Sequence, residues 1–121
     1  MLVMDSRKDC RAASAGDILL ARLMMRGAAG VITDGGFRDT PDISEMSFPA
    51  YHAHAAAPTG PIIHHAADIN LPIGCGDVPV YPGDICVGDA EGVVVIPADI
   101  ANDVAEEAVE QTAYELSLIH I

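Results

Sequence analysis

At 121 residues the chain suits one small domain, and its 50% hydrophobic content is enough to build a core. Eighteen acidic against six basic residues give a formal net charge of -12, a field that repels phosphate backbones and anionic membrane surfaces and excludes general nucleic-acid binding. Cys10, Cys75 and Cys86 are odd in number and widely spaced, so they make neither a disulfide framework nor a zinc ligand set and read as small buried hydrophobes. With no basic leader before an apolar run and no apolar stretch of about 18 residues, the sequence reads as a cytoplasmic protein with no membrane span.

The chain opens on an extended run, Leu2-Val3-Met4, with no lead-in, a pattern that suits entry in the middle of a fold. Residues 5 to 15 are small and polar and read as a loop. Gly16-Asp17 then precedes Ile18 to Arg26, a run of strong helix formers without a breaker, which Gly27 and Gly30 end. Val31-Ile32-Thr33 is a short buried strand closed by Asp34-Gly35-Gly36. Strand, helix and strand make a βαβ unit, which implies parallel pairing and a right-handed crossover. Thr40-Pro41 suits the start of a short helix reaching about Met46. Phe48 to Tyr51 reads as extended, Pro58, Gly60 and Pro61 as a turn, and Ile62 to His65 as a strand. From Leu71 to Pro97 the pattern is all-β, with Asp89-Ala90-Glu91-Gly92 turning one strand onto the next. Residues 98 to 115 form an acidic amphipathic helix. The last six, Leu-Ser-Leu-Ile-His-Ile, look like an in-frame translation of a transposon end used in sequencing libraries, so residues 116–121 are read as a non-native tail.

Chemistry concentrates at two points. Asp17 at the start of a helix is a natural N-cap, and the free amides of the first turn, with the helix dipole, can take a carboxylate. Arg38-Asp39 leaves the end of the next strand, and carboxyl ends of parallel strands are where open α/β sheets bind ligands. Arg38 offers a planar fork for a carboxylate or an enolate oxygen. Asp39 is a hard oxygen donor of the kind that holds Mg²⁺ with several waters retained, and Asp42, three residues on, could hold such a water or orient Arg38. Each also has a plain structural reading: Asp17 as a helix cap, Arg38-Asp39 as a surface turn pair, Asp42 as a first-turn acid. His52, His54, His64 and His65 have no acidic partner fixed by the pattern and read as surface or packing residues.

The stretch Gly16-Asp17-Ile18-Leu19 through Arg26-Gly27-Ala28-Ala29-Gly30-Val31-Ile32-Thr33-Asp34-Gly35-Gly36-Phe37-Arg38-Asp39 resembles the RraA-like family. The aldolase signature of that family is Asp, twenty residues, then Arg-Asp, and positions 18 to 37 separate Asp17 from Arg38. Asp42 meets the extension of the signature to an acid three residues after the Asp. The resemblance runs on through Gly74-Cys75-Gly76, Val80-Tyr81-Pro82-Gly83-Asp84 and Gly88-Asp89-Ala90-Glu91-Gly92, covering roughly residues 1 to 115. It implies an α/β fold of the three-layer β/β/α swivelling type, incomplete at the N-terminus. The implied activity is a class II pyruvate aldolase or oxaloacetate decarboxylase needing Mg²⁺ or Mn²⁺, assembled as a homotrimer or hexamer. By the same resemblance, Asp39 and Asp42 serve the metal and Arg38 binds the oxo acid and steadies its enolate. Asp17 positions a water for proton transfer, and the amides around Gly16, Ile18 and Leu19 receive the pyruvyl carboxylate. A second branch of the family binds and inhibits a ribonuclease and typically has Gly in place of this Asp, so Asp17 points to the enzyme branch.

Overall fold

The computed structural model describes residues 1–120; Ile121, the last residue of the expected tail, lies outside the described residues. The chain divides into two compact units, Met1–Pro82 and Gly83–Ile121.

The first unit is built on two parallel three-stranded sheets fed alternately by the chain. β1 (Leu2–Met4), β3 (Val31–Thr33) and β5 (Ala50–Tyr51) form one; β2 (Ala13–Ala15), β4 (Gly36–Phe37) and β6 (His54–Ala55) form the other. Leu2 pairs with Val31 and Val31 with Ala50 in the first sheet. In the second, Ala15 pairs with Phe37 and Phe37 with Ala55. Between β3 and β4 only Asp34 and Gly35 intervene, and between β5 and β6 only His52 and Ala53. The expected parallel βαβ unit is present, with helix α1 (Asp17–Met25) between β1 and β3.

The second sheet is the part the sequence reading missed. The sequence of residues 13–15 reads as loop, because Ala-Ser-Ala carries no β-branched or aromatic signal. They form a strand because Ala13 and Ala15 are buried, and burial of small side chains between neighbouring backbones overrides propensity. The sequence of residues 62–65 reads as a strand, but Gly60–Ile62 form a short 3-10 turn, and the next strand begins at Ile73. Two prolines and a glycine at 58–61 set that turn, and His64 Nε2 then lies 3.2 Å from the Ala12 carbonyl oxygen.

The core of this unit gathers Ala15, Leu20, Val31, Phe37, Ile43 and Phe48, with Leu2, Met4, Leu23, Met24 and Met46 packed against it. α1 contributes Leu20 from its inner face, and the short helix α2 (Thr40–Ser44), with Pro41 in its first turn as expected, contributes Ile43. Phe37, Leu20 and Val31 are the largest fully buried side chains. Each is worth roughly 1.5–3 kcal/mol of transfer free energy.

A buried hydroxyl cluster ties the strand ends together. Ser6 Oγ lies 2.6 Å from Ser14 Oγ and 3.1 Å from Thr33 Oγ1, and Ser14 Oγ lies 2.9 Å from Thr33 Oγ1. Asp34 caps the cluster, accepting from the Ser6 amide at 2.7 Å and from the Gly76 amide at 3.3 Å. The second of these bonds anchors the hairpin of β7 (Ile73–Cys75) and β8 (Val78–Val80). Its two-residue turn has φ of 60° at Gly76 and 66° at Asp77, the left-handed pair that matches the twist of a hairpin. Lys8 pairs with Asp77 across the same junction.

Cys10 is exposed, contrary to expectation, because it sits in the turn after β1, where its thiol reaches only the Lys8 carbonyl at 3.4 Å. Among the described residues no cysteine is in a disulfide.

The second unit holds the expected hairpin, β9 (Ile85–Gly88) against β10 (Val93–Ile96), with Glu91 and Gly92 amides donating to Asp89 Oδ1 in the turn. A single 3-10 turn at Ala98–Ile100 leads into α3 (Ala101–Ile119). The helix runs past residue 115 into the six residues read as a tail, since Leu116 to Ile119 contain no breaker. Among the described residues no helix is long and apolar enough to cross a membrane.

Leu20→Ala should lower the stability of the chain by roughly 2–5 kcal/mol through lost burial and the cavity it leaves. Urea denaturation followed by circular dichroism measures this; a loss below about 1 kcal/mol would show that α1 does not anchor the core.

Candidate functional site

The parallel register of the second sheet sets one row of residues at its carboxyl edge. Because Ala15, Phe37 and Ala55 are paired, the next residues, Gly16, Arg38 and Ala56, stand side by side. Two backbone bonds extend the ladder into this row, Arg38 N to the Ala15 carbonyl at 3.0 Å and Ala56 N to the Phe37 carbonyl at 2.9 Å. The sequence suggests that the ends of β1 and β3 bring Asp17 and Arg38-Asp39 together; in the structure it is Gly16, at the end of β2, that meets Arg38-Asp39 at the end of β4.

Gly16 is the point of closest approach. A methyl group built on its Cα would stand 2.7 Å from Arg38 Nε and 2.9 Å from both Arg38 Cγ and Asp39 Oδ2. Gly16, with extended backbone, is the N-cap of α1 rather than Asp17, and at this position glycine leaves room for the two facing side chains. Asp17 falls one residue later, in the first turn, where its charge suits the positive end of the helix. Its side chain makes no capping hydrogen bond because the cap lies before it. Leu20 N donates the first helical bond, to Gly16 O at 3.2 Å, so the amides of Ile18 and Leu19 precede the hydrogen-bonded ladder. The side chains of Ile18 and Leu19 are exposed.

Arg38 and Asp39 form an ion pair, Nε to Oδ2 at 3.2 Å, with both side chains a little over one-third exposed. Asp39 has φ of 57°, a left-handed conformation that aspartate tolerates better than most residues, and from there the chain turns into α2. Asp42 lies in the first turn of that helix. The guanidinium is therefore oriented by its own neighbour Asp39.

The donor set here is hard oxygen alone. Among the described residues no three His, Cys, Asp or Glu side chains converge. One or two carboxylates at a partly exposed position fit a hydrated Mg²⁺ or Mn²⁺, which retains several waters, and do not suit zinc. The carboxylates on this segment are Asp39, at the N-cap of α2, and Asp42, in its first turn.

The histidines pack instead. The His52 ring stacks on Phe37, centroids 5.2 Å apart at 27°. His54 Nε2 is buried without a hydrogen-bond partner, against the bare face of Gly36.

Next to the Arg38-Asp39 pair is a concavity of about 350 Å³ between residues 37–41 and Ala55-Ala56-Ala57. The alanine wall was missed by the sequence reading. Its one signal was a run of three smallest side chains directly after a histidine-rich segment.

Comparison with known proteins gives a consistent pattern. The RraA-like family model, described as Aldolase/RraA, matches residues 1–95. A Halalkalibacterium halodurans protein carrying the provisional name of a 4-hydroxy-4-methyl-2-oxoglutarate aldolase is 38% identical over 117 residues, covering 93% of this chain and 53% of the relative. The chain thus spans about half the length of that relative. The crystal structure of RraAS2 from Streptomyces coelicolor, described as an unusual member of the RNase ES inhibitor RraA family, matches 99% of this chain and 62% of its own at 26% identity, TM-score 0.80. A protein from Pseudomonas syringae pv. tomato shares the fold, at TM-score 0.85 and 24% identity over 93% of this chain and 58% of that one.

Gly16→Ala should part Arg38 from Asp39 while lowering stability by no more than about 2 kcal/mol, since an exposed pair contributes little to folding and alanine is a poor N-cap. The Arg38 Nε–H resonance in a ¹⁵N spectrum reads the first effect and thermal unfolding the second. An unshifted resonance would show that Gly16 does not set the pair's geometry.

Proposed function

This chain belongs to the RraA-like family, and from that premise we propose that it serves a divalent-metal-dependent lyase that releases pyruvate from an oxo acid. The reaction is retro-aldol cleavage of a substrate of the 4-hydroxy-4-methyl-2-oxoglutarate type, decarboxylation of oxaloacetate, or both. The observation that carries this reading is the edge row itself: a helix N-terminus, a guanidinium and a carboxylate converge where Gly16 leaves space. The provisional aldolase name of the Halalkalibacterium halodurans relative supports it.

In the cleavage the bond between C3 and C4 breaks and its electron pair enters the enolate of pyruvate. The C4 hydroxyl gives up its proton as that carbon becomes a carbonyl, and the enolate is then protonated at C3. The family resemblance assigns each residue a part, and its position in the edge row is compatible with that part. The Ile18 and Leu19 amides, reinforced by the helix dipole, receive the pyruvyl carboxylate. Arg38 lies alongside the enolate oxygen, where a charged planar donor is worth most as negative charge develops. Asp17, at the helix start, holds a water that carries the proton. A Mg²⁺ or Mn²⁺ ion held by Asp39, with Asp42 taking one of its waters, would polarise the keto group and lower the energy of the enolate. By analogy with the family, the active assembly is a homotrimer or hexamer.

A second reading, a non-catalytic protein that binds and inhibits a ribonuclease, draws on the likeness to the RraAS2 structure. Asp17 weighs against it, because it supplies the proton-handling group that a binding protein does not need.

The test is pyruvate release, coupled to NADH oxidation by lactate dehydrogenase, with and without Mg²⁺. It is run on the chain and on a chimera in which it replaces the matching region of the Halalkalibacterium halodurans relative. Metal-dependent turnover that Asp39→Ala abolishes and Arg38→Lys lowers about a hundredfold or more is expected. A folded chimera that releases no pyruvate from either substrate but binds a ribonuclease would establish the regulatory reading instead.

A further inference from the structure

The concavity beside Arg38 and Asp39 has two unlike walls. One is formed by Phe37, Arg38, Asp39, Thr40 and Pro41 and contains all the polar residues; the other is Ala55-Ala56-Ala57. Register places Ala55 opposite Phe37, and the bond from Ala56 N to the Phe37 carbonyl at 2.9 Å keeps the alanine segment alongside Arg38 as it leaves the sheet. The helix N-terminus at Gly16 lies on the other side of the pair in the same row. Arg38 and Asp39 thus separate a carboxylate-binding side from a methyl-lined side.

We propose that the methyl-lined side receives the distal group of the oxo acid, the part that leaves opposite pyruvate, and that Ala55 and Ala57 set the largest group it accepts. This deepens the lyase reading and rests on it. The wall offers no side-chain donor or acceptor, so it selects by volume. A group held there is compact: carbon dioxide leaving a dicarboxylic oxo acid, or a keto-acid fragment of about three carbons. Longer chains and rings meet the wall.

Ala55 and Ala57 are exposed whereas Ala56 is buried, so the outer two can be enlarged without disturbing the core. Ala55→Leu and Ala57→Leu are each assayed with oxaloacetate, whose distal group is a single carboxylate, and with 4-hydroxy-4-methyl-2-oxoglutarate, whose distal group is a whole keto acid. Either the chain or its chimera, whichever releases pyruvate, is used. At least one variant should lose about tenfold or more in kcat/KM for the larger substrate while staying within about threefold for oxaloacetate, since small changes in pocket volume discriminate on this scale. Retained oxaloacetate turnover also shows that the variant is folded and metal-loaded. Equal turnover of both substrates by wild type and both variants would overturn the inference and leave the lyase reading intact. A wild-type protein that releases no pyruvate from either substrate would remove both together.

Discussion

The hydrogen bond from the Arg38 amide to the Ala15 carbonyl, 3.0 Å long, is the constraint on which the candidate site depends. It continues the parallel ladder one residue beyond the strands and so presses Arg38 and Asp39 against Gly16. A single residue with a side chain at position 16 would have to displace both. Gly16 is also the residue that caps α1, and the acid after it stands inside the first turn. Helix start, guanidinium and carboxylate are therefore positioned by one piece of backbone geometry.

Electrostatics adds a second layer. The chain carries twelve more acids than bases, yet Arg38 lies at the carboxyl edge beside the start of a helix. An anionic substrate approaching an acidic protein needs such local compensation, and a divalent cation needs the opposite. On the proposed lyase reading, Arg38 would meet the first need and Asp39 the second. Their mutual ion pair keeps each oriented and, because both are partly exposed, costs little to separate.

Much of this was legible in the residues. The run from Ile18 to Arg26, Val31-Ile32-Thr33 and the Asp89–Gly92 turn each carry a local signal strong enough to survive folding. The spacing of Asp17 from Arg38-Asp39 was visible for the same reason: it belongs to contiguous motifs. What was not legible was the second sheet. Its strands are two or three residues long and made of Gly, Ala, Ser, His and Phe, so neither period nor propensity marks them. Their existence depends on partners 18 or more residues away, which a local window does not contain. The alanine wall was hidden for a related reason: small side chains announce nothing until the register shows what they face. Cys10 differs in the opposite direction: a residue type that is usually buried lies exposed here, just after the left-handed pair Arg7-Lys8.

The two-residue crossings between the sheets have a consequence for accuracy of assembly. Asp34-Gly35 and His52-Ala53 are too short to absorb a slip, so a strand that shifted by one position in either sheet would drag its continuation out of step in the other. The sheets are in effect stitched by the same thread, with no slack at these two seams. Misregistered forms must then break two ladders to gain none. Proofreading of this kind lets strands of two or three residues, far too short to specify their own alignment, hold reactive groups in a fixed relation.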